Sequence, residues 1–287
     1  MQEKPILKAP DWGTSVIGYL FLGGLMGGSA ILAALAQSNH SKAEARLQRN
    51  AALSAFLLAG ACPAVLISHL GRPERFLNML RVVKFKSPMS LGAWALVAFS
   101  AVSGLNLVTR SRPLGMLAAA IGAFVAGYTG VLLSATAVPL WAKGKYHIPA
   151  ISLCSAVSGA CALQNLLLLR GDNGAARERL ERLEIAASSA ELLLLLSFER
   201  FSTQLGAPMW QGARGRRFQM VTMRLGLLAP IAMHAALLFS YRSRGATPLR
   251  ALPSLLSLCG GYVLRETLVQ AGKESAAQRA PALRQVR

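Results

Sequence analysis

The chain has 287 residues, of which 53% are hydrophobic and only 15% charged, and its 31 Lys and Arg against 12 Asp and Glu give a formal net charge of +19. Soluble domains carry about 25% charged residues, so this composition excludes an ordinary soluble globule. A helix crossing a hydrocarbon core of about 30 Å needs roughly 20 mostly apolar residues, and such stretches recur along the whole sequence.

In chain order the apolar stretches are 13–37, 51–70, 91–108, 113–138, 148–169, 218–241 and 251–269. An eighth, 183–198, is interrupted by Glu184 and Glu191 but holds the purely apolar run Leu192–Leu196, whose sides need burial. The expected fold class is therefore all-α: a polytopic integral membrane protein with eight transmembrane helices, residues 1–287 forming one transmembrane domain. The even count puts both termini on one side, here called face A, opposite face B. Residues 1–13 have neither a twin-arginine nor a basic-then-apolar signal pattern, so no cleaved leader is expected. More Lys and Arg fall in the loops of face A, but those of face B are denser, so positive charge alone does not orient the chain.

The first span carries Gly23, Gly24, Gly27 and Gly28, two small-xxx-small pairs that let a neighbouring helix approach closely. Between the second and third spans, residues 71–89 mix Phe76, Leu77, Met79 and Leu80 with Arg72, Arg75, Arg81, Lys84 and Lys86. Phe76, Met79, Leu80 and Val83 recur at helical spacing, which predicts an amphipathic extramembrane segment docking on headgroups or on a protein. Arg72, Arg75, Phe76, Met79 and Arg81 are its docking candidates.

A rise of 1.5 Å per residue converts position into depth. It places Tyr19, Tyr128, Arg224 and Arg265 roughly 6 to 10 Å below face A, with His69 at that face. Phenols, guanidinium and imidazole at one level define a candidate pocket; the alternative is an interfacial aromatic belt with snorkelling arginines. A second constellation is Glu184, Ser188 and Glu191, spaced i, i+4, i+7 on one helix face, with Glu191 near mid-depth and His234 near face B. These four residues read as a proton-transfer path or as a structural interhelical ion pair.

Cys62, Cys154, Cys161 and Cys259 lie in apolar stretches without a CxxC spacing, so packing is their expected role and no metal is expected. His40 and His147 fall in loops, and His69 and His234 lie near opposite faces, roughly 20 Å apart in depth. That arrangement offers no matched pair for a bis-histidine haem. There is no phosphate-cradling loop and no Ser/His/Asp set, and nothing points to a nucleic-acid partner.

Four segments carry a family resemblance: Tyr19-Leu-Phe-Leu-Gly-Gly-Leu-Met-Gly-Gly-Ser29, His69-Leu-Gly-Arg-Pro-Glu-Arg-Phe76, Tyr128-Thr-Gly-Val-Leu-Leu-Ser-Ala-Thr-Ala-Val-Pro-Leu-Trp141 and Gly260-Gly-Tyr-Val-Leu-Arg-Glu-Thr-Leu-Val-Gln-Ala-Gly-Lys273. In order and spacing they resemble the NrfD/polysulfide-reductase membrane subunit family over nearly the whole sequence. The resemblance implies eight helices in two four-helix-like bundles, without haem. It implies a subunit, not catalytic alone, that exchanges electrons between membrane quinone, menaquinone or ubiquinone, and a ferredoxin-like iron-sulfur subunit attached to a catalytic subunit of molybdopterin type.

By position, Tyr128 resembles the tyrosine that hydrogen-bonds a quinone carbonyl, and Tyr19 stands where the family can place another polar quinone contact. His69 stands where members commonly have Asp, and with Arg265 completes the expected quinone-binding set. The loop from Gly71 resembles the one that meets the iron-sulfur partner. Face A is then the side outside the cytoplasm of a bacterial cytoplasmic membrane. The rival class is a transporter or permease of a small solute, with Arg265, Glu191 and the Gly-rich helix lining its path. Against it, the sequence has no convincing inverted repeat and no matching pair of Pro/Gly-broken spans.

Overall fold

The computed structural model describes residues 12–37, 41–69, 81, 87–169, 173–202, 206–239 and 247–277. Among them there are helices and no strand. Five long apolar helices come first in the chain: α1 (Thr14–Ala36), α2 (Lys42–His69), α3 (Pro88–Thr109), α4 (Arg112–Ser134) and, after the short α5 (Pro139–Lys143), α6 (His147–Leu167). Then follow α7 (Gly174–Ser202), the short α8 (Ala207–Trp210), α9 (Gly212–Phe218), a π-helical segment Gln219–Leu228, α10 (Ala229–Phe239) and α11 (Thr247–Ala277).

Six of the described helices are long and apolar enough to cross a membrane: Thr14–Ala36, Lys42–Ser68, Pro88–Thr109, Arg112–Ser134, His147–Leu167 and the joined run Gly212–Leu238. The expected eight is thus met by six on composition. α7, with Glu184, Glu191, Glu199 and Arg200, and α11, with Arg265 and Glu266, are as long but more polar. Both nevertheless run alongside the apolar helices. Near its start α7 pairs Arg179 with Glu44 of α2 at 2.9 Å, and near its end Phe201 stacks on His147 of α6 with centroids 5.0 Å apart. α7 is therefore antiparallel to α6, whose far end reaches α7 through Asn165 and Glu184.

The boundaries differ from those read off the sequence where local chemistry intervenes. The fourth span stops at Ser134 rather than 138, because Val138 precedes Pro139 and is held extended at ψ 122 before α5 begins. α3 begins at Pro88, whose fixed φ suits the first turn of a helix. The loop candidates Arg72, Arg75, Phe76 and Met79 lie outside the described residues; Arg81 is exposed.

Packing groups α1 to α4 on one side and α6, α7, α10 and α11 with the π segment on the other, and α1 meets members of both groups. Its glycines make that possible. A Cβ on Gly27 would collide with the backbone carbonyl of Gly122 in α4, and one on Gly28 with that of Ala156 in α6. Gly226 in the π segment and Gly260 in α11 form a similar contact, the built Cβ of Gly226 falling 2.6 Å from the Gly260 Cα. With little polar force available between helices in lipid, such backbone approach supplies the van der Waals contact that holds the bundle.

Candidate functional site

A cavity of about 380 Å³ opens between α1, α3 and α4 and brings together Tyr19 and Tyr128, as their shared depth predicts. Trp12, Val16, Leu66, Leu96 and Leu132 give it apolar walls, and Ser87, Pro88 and Thr136 add polar atoms at its edge. Tyr128 is 6% exposed and its hydroxyl donates to the Pro88 carbonyl at the start of α3. The ring fits against α3 only because residue 92 is glycine: a Cβ there would lie 2.8 Å from the Tyr128 ring. Trp12 stacks on Trp141 with centroids 5.0 Å apart, and Trp141 is fixed by its indole N–H donating to the Leu268 carbonyl at 2.8 Å.

Arg265, expected at the depth of the two tyrosines, belongs to different surroundings. Its Nη1 donates to Ser155 Oγ at 2.7 Å and to the Gly261 carbonyl at 2.8 Å, and the guanidinium lies over the Phe21 ring. Gly24 makes room for it, since a Cβ there would fall 2.8 Å from Nη2. Tyr19 and Gly24 are five residues apart on α1, about 140° around the helix, so α1 stands between the cavity and Arg265. His69 is the last residue of α2. Arg224 sits in the π segment and is exposed.

From Arg265 a buried polar column runs along the α6–α7 seam. Glu191, 2% exposed, interacts with Arg265 and shares a hydrogen bond with Ser155, which therefore bridges carboxylate and guanidinium. Next, Ser158 and Ser188 hydroxyls meet at 2.8 Å. Then Asn165 Nδ2 donates to Glu184 Oε2 at 3.1 Å, and Ser257 Oγ donates to Oε1 at 2.7 Å. His234 Nε2 lies 3.1 Å from Glu184 Oε2, close enough for an ion pair though off the line of a hydrogen bond. Glu181, one turn nearer face B, interacts with His234 and contacts Arg177 at 3.8 Å.

All four residues read as a proton-transfer set thus share one seam. Sequence reading missed the partners on α6 and α11, Ser155, Ser158, Asn165 and Ser257, and also Trp12 and Gly92 at the cavity. On α6 the signal existed: Ser155, Ser158 and Asn165 follow helical spacing, as Glu184, Ser188 and Glu191 do on α7.

Fold and sites together define a polytopic all-α membrane protein with an apolar, phenol-lined cavity and a separate buried polar column. The family model for "Polysulphide reductase, NrfD" matches residues 8–121, which include α1, α2, α3 and the Tyr19 side of the cavity. The C subunit of polysulfide reductase from Wolinella succinogenes is 28% identical over 306 aligned positions, covering 91% of the present sequence and 94% of that protein. The sequence is thus similar to the NrfD family over residues 8–121 and to that C subunit over nearly its whole length.

Proposed function

We propose that this protein is the membrane subunit of a multi-subunit oxidoreductase, binding menaquinone or ubiquinone as substrate in the Tyr19–Tyr128 cavity. Electrons pass between that quinone and a ferredoxin-like iron-sulfur subunit docked over the 71–89 loop on face A, itself carrying a catalytic subunit of molybdopterin type. The observation that carries this reading is the cavity itself: apolar walls beside α1, α3 and α4, with two phenols as its titratable hydrogen-bonding groups. Such a site suits a ring with two carbonyls and an apolar tail. It is supported by the similarity to a protein that is one subunit of polysulfide reductase.

The residues divide the work. Tyr128 has one O–H, which is given to the Pro88 carbonyl; a quinone carbonyl takes that proton donor in place of the backbone. Tyr19 faces the same space from α1 and offers the second hydrogen bond. Reducing a quinone consumes two electrons and two protons, and oxidising the quinol releases them. The electrons come from or go to the partner, since this subunit supplies only binding and proton handling. The seam through Glu184, Ser188 and Glu191 provides protonatable or hydroxyl groups from face B to mid-depth. Gly23, one turn along α1 from Tyr19 and buried, has nothing within 4 Å of where a Cβ would sit, which leaves room for water on the Tyr19 side of that helix.

A solute path is disfavoured by the same geometry. Of the groups that would line it, Arg265 and Glu191 are engaged by hydrogen bonds to Ser155, and Gly27 and Gly28 are pressed against the backbones of α4 and α6, whereas the Tyr19–Tyr128 cavity has apolar walls. The test is quinone turnover by the purified complex carrying Tyr128→Phe or Ala135→Trp. The first removes a hydrogen bond worth roughly 0.5 to 1.5 kcal/mol, raising the KM for quinol about three- to tenfold with assembly intact. The second fills the mouth of the cavity and should abolish turnover. Wild-type turnover in Ala135→Trp would overturn the assignment of the cavity.

A further inference from the structure

A second cavity, of about 520 Å³, lies at the opposite end of the α2–α3 pair from Tyr19 and Tyr128. Its walls include Arg46 and Arg49, one turn apart near the start of α2, and Arg110, which follows the last residue of α3. No acidic side chain is among its described lining residues. Arg46 donates to the Asn173 side chain at 3.2 Å, while the guanidinium groups of Arg49 and Arg110 meet no carboxylate among the described residues. A further polar group beside these arginines and Gln48 is less expected. Asn106 is 7% exposed and lines this cavity, and its Oδ1 is buried with no hydrogen-bond partner.

The position fixes the setting. Arg49 lies two residues before the apolar stretch that starts at Ala51, and Arg110 two residues after the stretch that ends at Val108, so both stand at a boundary between hydrocarbon and headgroups. Below them Leu53, Phe56, Leu57 and Leu105 are exposed and present an apolar surface continuous with the cavity. A free soluble anion would use the arginines and leave that surface unused. A glycerophospholipid uses both.

We propose that this cavity binds an anionic phospholipid of the phosphatidylglycerol type. Its phosphate sits among Arg46, Arg49 and Arg110, a headgroup hydroxyl donates to Asn106 Oδ1, and its acyl chains lie along α2 and α3. Zwitterionic headgroups carry a cation into an already basic cavity and fit less well. Basic pockets between transmembrane helices are suited to such headgroups, each interfacial arginine contributing about 1 kcal/mol.

The experiment is native mass spectrometry of the full-length protein, released from detergent after titration with phosphatidylglycerol or with phosphatidylethanolamine of the same acyl composition. Phosphatidylglycerol should be retained preferentially, and the double variant Arg49→Gln/Arg110→Gln should weaken its retention roughly 30-fold. Arg182→Gln, an exposed arginine elsewhere on face B, should leave it unchanged. Leu53→Trp fills the cavity without altering charge and should also weaken retention, which decides the matter if the double variant does not fold. Equal retention of the two lipids, undiminished retention in Leu53→Trp, or equal loss in Arg182→Gln would overturn the proposal. So would displacement of the lipid by glycerol phosphate at equal concentration, because the site would then be one for a soluble anion.

Discussion

Glu191 is the residue on which two roles meet. Its carboxylate lies in a fully packed seam, near a guanidinium that has its own hydrogen bonds to Ser155 and Gly261. Arg265 is thus held partly independently of Glu191, by two acceptors and the face of Phe21. Glu191→Gln keeps the shape and the bond to Ser155 but cannot accept and release a proton. We expect complex yield and quinone affinity to survive the change while turnover falls at least tenfold, the lower end of what a positioned proton-transfer group contributes being about 100-fold. Yield and turnover are to be measured on the same purified sample. A collapse in yield would instead assign Glu191 to ion pairing, since removing one partner of a buried pair costs roughly 3 to 5 kcal/mol.

Within α1, neighbouring glycines have opposite requirements. Gly27 is pressed against the carbonyl of Gly122, whereas Gly23 is buried beside open space. Gly27→Ala should therefore lower the thermal stability of the detergent-purified protein, by roughly 1 to 3 kcal/mol for an overpacked contact. Gly23→Ala should be neutral or stabilising by up to about 1 kcal/mol, the helix preference of alanine over glycine. Thermal unfolding of the two variants side by side checks the sign. This contrast also marks how far the sequence could be read. The glycine spacing announces a close helix contact, but not which glycine touches and which faces a void. Likewise the depth arithmetic put Tyr19 and Tyr128 at one level, and both line the cavity, but it says nothing of rotation about the helix axis. Arg265 contacts Ser155 of α6, and Gly24 admits it to that side of α1, a placement that depth alone does not specify. The π segment has no sequence signal of its own; it accompanies the contact of Gly226 with Gly260 across α11.

Across the whole molecule, two sets of contacts mark two faces. Glu44 with Arg179, Arg46 with Asn173 and Gln37 with Arg110 tie together the ends assigned to face B. Trp12 with Trp141, Arg214 with Glu274 and Lys143 over Phe201 do the same at face A. If the basic loop at face A is the docking surface, reversing Arg72, Arg75 and Arg81 to Glu should release the iron-sulfur partner from membranes in a fractionation assay. The two-faced arrangement makes a stricter demand on α7, whose carboxylates set it apart from the apolar helices. Its covered side carries Glu184, Ser188 and Glu191, so a crossing α7 keeps its charges inside the bundle and shows lipid Leu193 and Leu196, which are exposed. Glu178 near its start and Phe201 near its end must then lie on opposite sides of the membrane, and Tyr146 on the side of Phe201. Single cysteines at these positions, in a background with the exposed Cys259 replaced by Ser, can be probed with a membrane-impermeant maleimide. Tyr146→Cys and Phe201→Cys should react in intact cells and Glu178→Cys only after the membrane is opened. Labelling of all three from one side would make α7 a helix that enters and returns, and would break the continuity of the polar seam from face B to mid-depth.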